Sequence, residues 1–307
     1  DLLEQVKGTN KDFELSPLLK TLTVELLSHH VPTRMAALCW INMLLEKSPQ
    51  EMGQFLEELL PALLKTLSDD SDEASRCIFP SRSGEFAFML ARISLNESEF
   101  NRVLNAVLQL FSAERRLLET RGSLIIRKLC VLLNAKSIYT ALAEVLQAKQ
   151  QQHDLAFVSI MVQQSLNLIL LTAAELEELR TALKMSFQPE ASPEDRELFV
   201  ALFSCWCHNP VSTFSLCILA QAYELSSQLI KEFSEVEITV AFLMQVDKLV
   251  QLLESPIFLN LRLQLLDVDA PHYAHLVKSL YGLLMLLPQS TAFRTLRDRS
   301  ASRWQSG

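Results

Sequence analysis

The string "CWCH" at 205–208 sets two thiols and an imidazole, Cys205, Cys207 and His208, within four residues, and is the nearest thing in the chain to a metal or nucleophile signal. A structural zinc site needs a second ligand pair at a comparable spacing, and the sequence offers none. On a helix, residues two apart point to different faces, so Cys205 and Cys207 do not chelate one ion together. The pattern therefore predicts core or boundary residues. His29-His30 falls at a helix end, where positive charge offsets the helix dipole, and no acidic or thiol partner lies close in sequence. The adjacent carboxylates Glu57/Glu58 and Glu177/Glu178 diverge on a helix instead of converging on one substrate atom. The chain has no Walker-type loop, no G-x-S-x-G elbow, no H-E-x-x-H and no dinucleotide fingerprint. These readings predict a protein that is not an enzyme and has no cofactor or metal. The enzyme alternative rests on Cys205 or Cys207 as nucleophile.

Composition narrows the elements that could position any site. Glycine is 6 of 307 residues, against a usual share of ~7 %, while 49 % of the residues are hydrophobic. Tight hairpin turns and phosphate-cradling loops both draw on glycine at positive φ, so the chain reads as all-α. One core stops growing at about 250–300 residues. No Gly/Ser/Pro-rich linker separates two domains, which favours an elongated stack of units, each contacting its neighbours.

The net charge is −8 and no stretch concentrates Lys and Arg, so nucleic acid is not an expected partner. The acidic cluster "SDDSDEASR" at 68–76 reads as a solvated turn. The six cysteines, mostly among apolar residues, and the lack of a secretory signal point to a reducing, cytosolic compartment. The run "LYGLLMLLP" at 280–288 is about half the ~20 residues that cross a bilayer, so membrane association is expected to be peripheral or through partners. The chain opens on Asp1 without an initiator Met and ends in a polar "RSASRWQSG", which reads as a piece of a longer protein with a disordered tail at 299–307.

Thr33-Arg34, Ser75-Arg76 and Thr120-Arg121 each open a helical pattern, and their arginines stand 42 and 45 residues apart. "MGQFLEELLPALLKTLSDDSDEASR" keeps i, i+3, i+4 apolar spacing through Leu67, with Pro61 bending the helix and an Asp-rich turn after it. This resembles a HEAT repeat, in which an Asp in the turn pairs with an Arg of a second helix, and the resemblance puts Asp69 or Asp70 and Arg76 in that ladder. "SPEDRELFVALFSCW" at 192–206 places Ser192 at an N-cap with Pro193 at the first helical position. The expected architecture is a HEAT/armadillo-type α-solenoid of antiparallel helix pairs. Repeats are expected over 1–192, with a C-terminal helical region for self-association and partner binding over 193–298. Expected helices include 12–28, 34–47, 51–68, 83–95, 98–111, 113–134, 137–149, 153–171, 173–186, 193–207, 211–222, 224–233, 236–253, 256–267, 272–287 and 289–298.

Residues 208–293 read differently. "HNPVSTFSLCILAQAYELSSQLIKEF", "VDKLVQLLESPIFLNLRLQLLD" and "LVKSLYGLLMLLPQSTAF" are similar to the C-terminal region of the Vac-fourteen family, closely over 208–293 and more loosely over 193–298. The link "DVDAPHYAHLVKS" at 267–279 departs from that family's pattern. The resemblance implies a non-catalytic HEAT-repeat scaffold holding a FYVE-domain phosphoinositide 5-kinase and a Sac-domain phosphatase that make and remove phosphatidylinositol 3,5-bisphosphate. It also implies self-association into a homo-oligomer through this region, and endosomal or vacuolar/lysosomal membranes as the place of work.

In "ESPIFLNLRLQLLD", 254–267, apolar residues fall on nearly every side of a helix, so one stripe cannot bury them all. Neighbouring helices on one side and another chain on the other would. Aromatic and Arg side chains dominate interface energetics, which makes Phe214, Tyr223, Phe258, Leu261, Arg262, Tyr273 and Tyr281 the expected contacts. A cargo- or adaptor-type transport solenoid is the alternative. It calls for Asn and Trp recurring at each repeat, a spacing that Trp40, Trp206 and Trp304 do not keep.

Overall fold

The computed structural model describes residues 15–48, 51–52, 97–151, 155–233, 235 and 238–287, with positions 55, 59 and 62. Among the described residues the regular structure is helical and no strand is present, so the protein is all-α, helices following one another through short turns. The chain divides into two compact units, Asp1–Val145 and Leu146–Gly307. Asp69, Asp70, Arg76, Cys77, Glu57/Glu58, the expected helices 83–95 and 289–298, most of 51–68 and the tail at 299–307 lie outside the described residues.

In the first unit α1 (Leu15–Leu26) packs on α2 (Val31–Lys47). Leu15, Leu19, Leu22 and Leu26 form the buried stripe of α1 at i, i+4, i+7, i+11. His29 and His30 sit in the turn between the two helices, and Pro32 falls in the first turn of α2, so α2 starts at Val31 instead of Arg34. Arg34 is buried and donates from Nη1 to the Ser28 carbonyl at 2.6 Å, joining the second helix to the end of the first. Further on come α3 (Glu97–Ala113), α4 (115–132) and α5 (Ala135–Gln151). A π-helical turn at Leu118–Gly122 interrupts α4, and the unit boundary falls within α5.

The second unit begins with α6 (Leu155–Thr172), which contains a π-helical turn at Met161–Leu166. By length and composition α6 could cross a membrane, a property the short run at 280–288 lacks. Half of it is buried inside the chain, and its Asn167 Oδ1 accepts from Trp206 Nε1 at 3.2 Å and Ser215 Oγ at 2.9 Å. Those are the ties of a core helix. A short 3₁₀ turn (Ala174–Leu176) leads into α7 (Glu177–Met185). Here Arg180 repeats what Arg34 does: buried, it donates from Nη1 to Leu170 O at 3.1 Å and Ala173 O at 2.6 Å, capping the carbonyl end of α6.

Caps set the next boundaries. Ser192 Oγ accepts from Asp195 N at 3.1 Å to start α8 (Pro193–Trp206), as the sequence predicts. Asn209 Oδ1 accepts from Ser212 N at 2.8 Å to start α9 (Pro210–Leu219). From Val211 onward every residue of α9 is buried, because α8, α10 (Tyr223–Glu232) and α11 (Val240–Leu253) all pack against it. The expected helix 236–253 begins only at Val240, since Thr239 is extended and its hydroxyl caps Phe242 N at 3.1 Å. The expected helix 256–267 is shorter too: a 3₁₀ turn at Pro256–Phe258, then α12 (Leu259–Gln264), then turns as far as α13 (Tyr273–Leu286).

One stripe of α10 organises the C-terminal end. Tyr223, Ser226, Ser227 and Ile230, at i, i+3, i+4, i+7, are all buried. Ser226 Oγ and Ser279 Oγ of α13 share a hydrogen bond of 2.8 Å, and Ser227 Oγ lies 3.0 Å from His275 Nδ1. A turn of helix beyond, Gly282 faces Ile230 so closely that a methyl group there would stand 2.5 Å from Cγ1 and 2.9 Å from Cγ2. Both atoms branch from a stiff Cβ and cannot swing aside.

Gly282→Ala is therefore expected to cost about 1–3 kcal/mol through overpacking. Placed on Ile230→Ala, the same change should cost much less. Denaturant midpoints over this double-mutant cycle check the coupling, and additive effects would refute the close approach.

Candidate protein-interaction surface

Among the described residues, Cys205, Cys207 and Cys217 are not placed to favour covalent chemistry. Cys205 is buried inside α8, and burial together with the nearby Cys207 thiol pushes its pKa up to about 12. Burial raises Cys217 on α9 further still. Cys207 is exposed where α8 ends, and partial desolvation raises it as well. Each shift disfavours the thiolate that nucleophilic attack requires. Among the described residues no three His, Cys, Asp or Glu side chains gather to hold a metal. Glu177 and Glu178 point to solvent in the first turn of α7, where acids complement the helix dipole.

The predicted contact residues lie around the α10 stripe and its neighbours. Phe214, Tyr223, Phe258 and Leu261 are buried within the chain itself. Phe214 packs on Phe233 with ring centroids 5.9 Å apart. The Tyr223 hydroxyl donates to Gln264 Oε1, its ring lies 5.5 Å from that of His272, and burial holds its phenol above the ordinary tyrosine range. Gln264 Nε2 in turn donates to Gln221 Oε1 at 3.0 Å. Gln221 ends α9 in the left-handed region at φ 61°, the position glycine usually takes, with Ala222 N bonded back to Cys217 O at 2.9 Å. Arg262, Tyr273 and Tyr281 are half-buried, and Arg262 Nη1 donates to the Glu254 carbonyl at 2.7 Å.

Residues 254–267 thus have two apolar faces. Phe258, Leu261 and Gln264 face the chain, while Leu259, Leu263 and Leu266, at i, i+4, i+7, are 50 %, 54 % and 69 % exposed. Helix α11 shows the same feature at its start, where Val240 and Met244 are exposed one turn apart. These exposed positions are aliphatic, whereas the expected contacts are mainly aromatic and Arg side chains. The signal was available in the spacing left once the inward residues are subtracted from the leucine-rich run.

A sequence profile described as "Vacuolar protein 14 C-terminal Fig4p binding" matches residues 115–302, more than half of the chain and all of the described second unit. The chain belongs to the Vac14 family. It is 43 % identical to a "Protein VAC14 homolog" of Arabidopsis thaliana, over 94 % of the chain and 36 % of that protein. The "Protein VAC14 homolog" of Schizosaccharomyces pombe is 41 % identical over 94 % of the chain and 34 % of its own length. The "Vacuole morphology and inheritance protein 14" of Saccharomyces cerevisiae is 32 % identical over 98 % of the chain and 32 % of its own length. The chain spans about a third of the length of these curated relatives. No solved structure matches it. One of these relatives is named for vacuole morphology and inheritance, and the matching profile is described by Fig4p binding.

Alkylation distinguishes those thiols. In the native protein at pH 8, iodoacetamide should modify Cys207 and leave Cys205 and Cys217 intact, as read by peptide mass spectrometry. Faster labelling of Cys205 than of Cys207 would restore the nucleophile reading.

Proposed function

We propose that this chain is the partner-binding part of a non-catalytic scaffold that self-associates and holds a Sac-domain phosphatase and a FYVE-domain phosphoinositide 5-kinase in one complex regulating phosphatidylinositol 3,5-bisphosphate. One observation carries the reading: the Fig4p-binding profile covers 115–302, and within it α12 and the turn that follows it present leucines that the chain leaves half or more exposed. Fig4p binding in the family supports the phosphatase as a partner. The kinase, the self-association and the endosomal or vacuolar setting follow from the family resemblance, with contact to the membrane peripheral and made through partners.

The mechanism is co-localisation. Tethering two opposing enzymes to one assembly raises the effective concentration of each near the other, without any new catalytic group. The interaction region is the C-terminal helical part, 193–298, within the second unit. Leu259, Leu263 and Leu266 form the contact row, Arg262, Tyr273 and Tyr281 flank it from half-buried positions, and Phe214, Tyr223, Phe258 and Leu261 hold it from beneath. Covering a half-exposed leucine returns about 1 kcal/mol, so three give roughly a hundredfold in affinity before ordering costs.

Capture of the Sac-domain phosphatase on the immobilised chain, with light scattering of the free chain, tests both interactions. Leu259→Asp with Leu263→Asp should lower capture tenfold or more, or return the assembly mass to that of a single chain, while leaving the helical signal unchanged. Phe258→Ala should instead lower the melting temperature. A chain that stays monomeric at high micromolar concentration and captures no phosphatase would falsify the proposal.

A further inference from the structure

Away from the leucine row, α6, α9 and α11 enclose a groove of about 180 Å³, open to solvent. That volume holds about six waters at ~30 Å³ each, and falls short of the ~300–1,000 Å³ typical of sites for small-molecule cofactors. It suits a side chain and the backbone either side of it. Its rim is made of amides: Gln163, Gln164 and Asn167 on α6 and Gln245 on α11. Gln163 and Gln164 belong to the π-helical turn Met161–Leu166, a local widening of the helix that recurs at functional sites.

The hydrogen-bonding capacity of this rim is only partly used. Trp206 Nε1 can only donate, so its bond to Asn167 fixes the acceptor Oδ1 on that side and leaves Nδ2 for another partner. Gln245 accepts from Asn209 Nδ2 through Oε1 at 3.0 Å and likewise keeps Nε2. Gln163 and Gln164 make no side-chain hydrogen bond among the described residues. The floor is apolar, with Leu171 and Leu249 buried beneath the amides. One charge lines the groove, Lys248, exposed and without an ion pair or hydrogen bond among the described residues. Its neighbour Asp247 lies outside the lining and accepts from Gln251 Nε2 at 2.8 Å.

Gln163 and Gln164 can both donate and accept, and Asn167 and Gln245 keep amide donors, a set that complements a peptide backbone, which presents an N–H and a C=O at every residue. A single uncompensated ammonium at the edge selects a carboxylate. We infer that the groove between α6, α9 and α11 binds an extended peptide segment of a protein partner, with an Asp or Glu side chain on Lys248 and the backbone along Gln163, Asn167 and Gln245. This site is separate from the α12 row and holds whether or not that row binds a phosphatase.

A phage-displayed random nonapeptide library, panned on the whole chain, tests it. The wild-type protein should enrich clones bearing Asp or Glu at one recurrent position at least tenfold over bare beads. Lys248→Glu, an exposed change, should shift that position to Lys or Arg, and Gln163→Ala with Gln164→Ala, which removes no hydrogen bond among the described residues, should abolish enrichment without altering the melting temperature. Leu263→Asp should leave enrichment intact, which separates failure here from failure of the scaffold reading. No enrichment, or enrichment indifferent to Lys248→Glu, overturns the inference.

Discussion

The C-terminal end of this protein depends on how closely α10 and α13 can approach. Ordinary aliphatic residues would hold two helices 8–10 Å apart. Here Ser226, Ser279 and Gly282 remove bulk from the seam, and the two hydroxyls satisfy each other at 2.8 Å where water is excluded. The same stripe of α10 carries Tyr223, whose hydroxyl reaches Gln264 on α12. Which side of α12 faces the chain is thus decided by one helix with four buried positions, and the outward leucines follow from that choice.

Buried and half-buried polar groups recur as ties between helices of the second unit. Asn167 joins α6 to α8 and α9, Asn209 caps α9 and reaches α11, and Arg180 closes the end of α6. Each of these groups would cost about 1–3 kcal/mol if buried without a partner, so the ties specify which helices may be neighbours, as apolar packing alone does not. Arg34 does for α1 and α2 what Arg180 does for α6 and α7. Arg34 and Arg180 thus act on carbonyls at helix ends, while Asp69, Asp70 and Arg76, which the HEAT resemblance would pair, lie outside the described residues.

Much of this was legible in the residues. Scarce glycine and leucine-rich periodicity required helices, and Ser192-Pro193 marked the start of α8 to the residue. The closeness of "SPIFLNLRLQLLD" and "LYGLLMLLPQS" to the Vac14 family carried the functional reading. Less legible was the edge of α11, because a threonine cap looks like any other polar residue in an apolar run. The amide groove was also hidden: Gln163 and Gln245 stand 82 positions apart and share no motif.

Sequence alone determined that the chain is helical and that 254–267 holds more apolar surface than one face can bury. These follow from local propensity, residue chemistry and the 3.6-residue period, which need no knowledge of neighbours. Only the tertiary structure decided which leucines of that run are inside and which are not, because the answer lies in a serine, a tyrosine and a glycine on two other helices. Burial is a property of the partner surface, and no single stretch of chain encodes its partner.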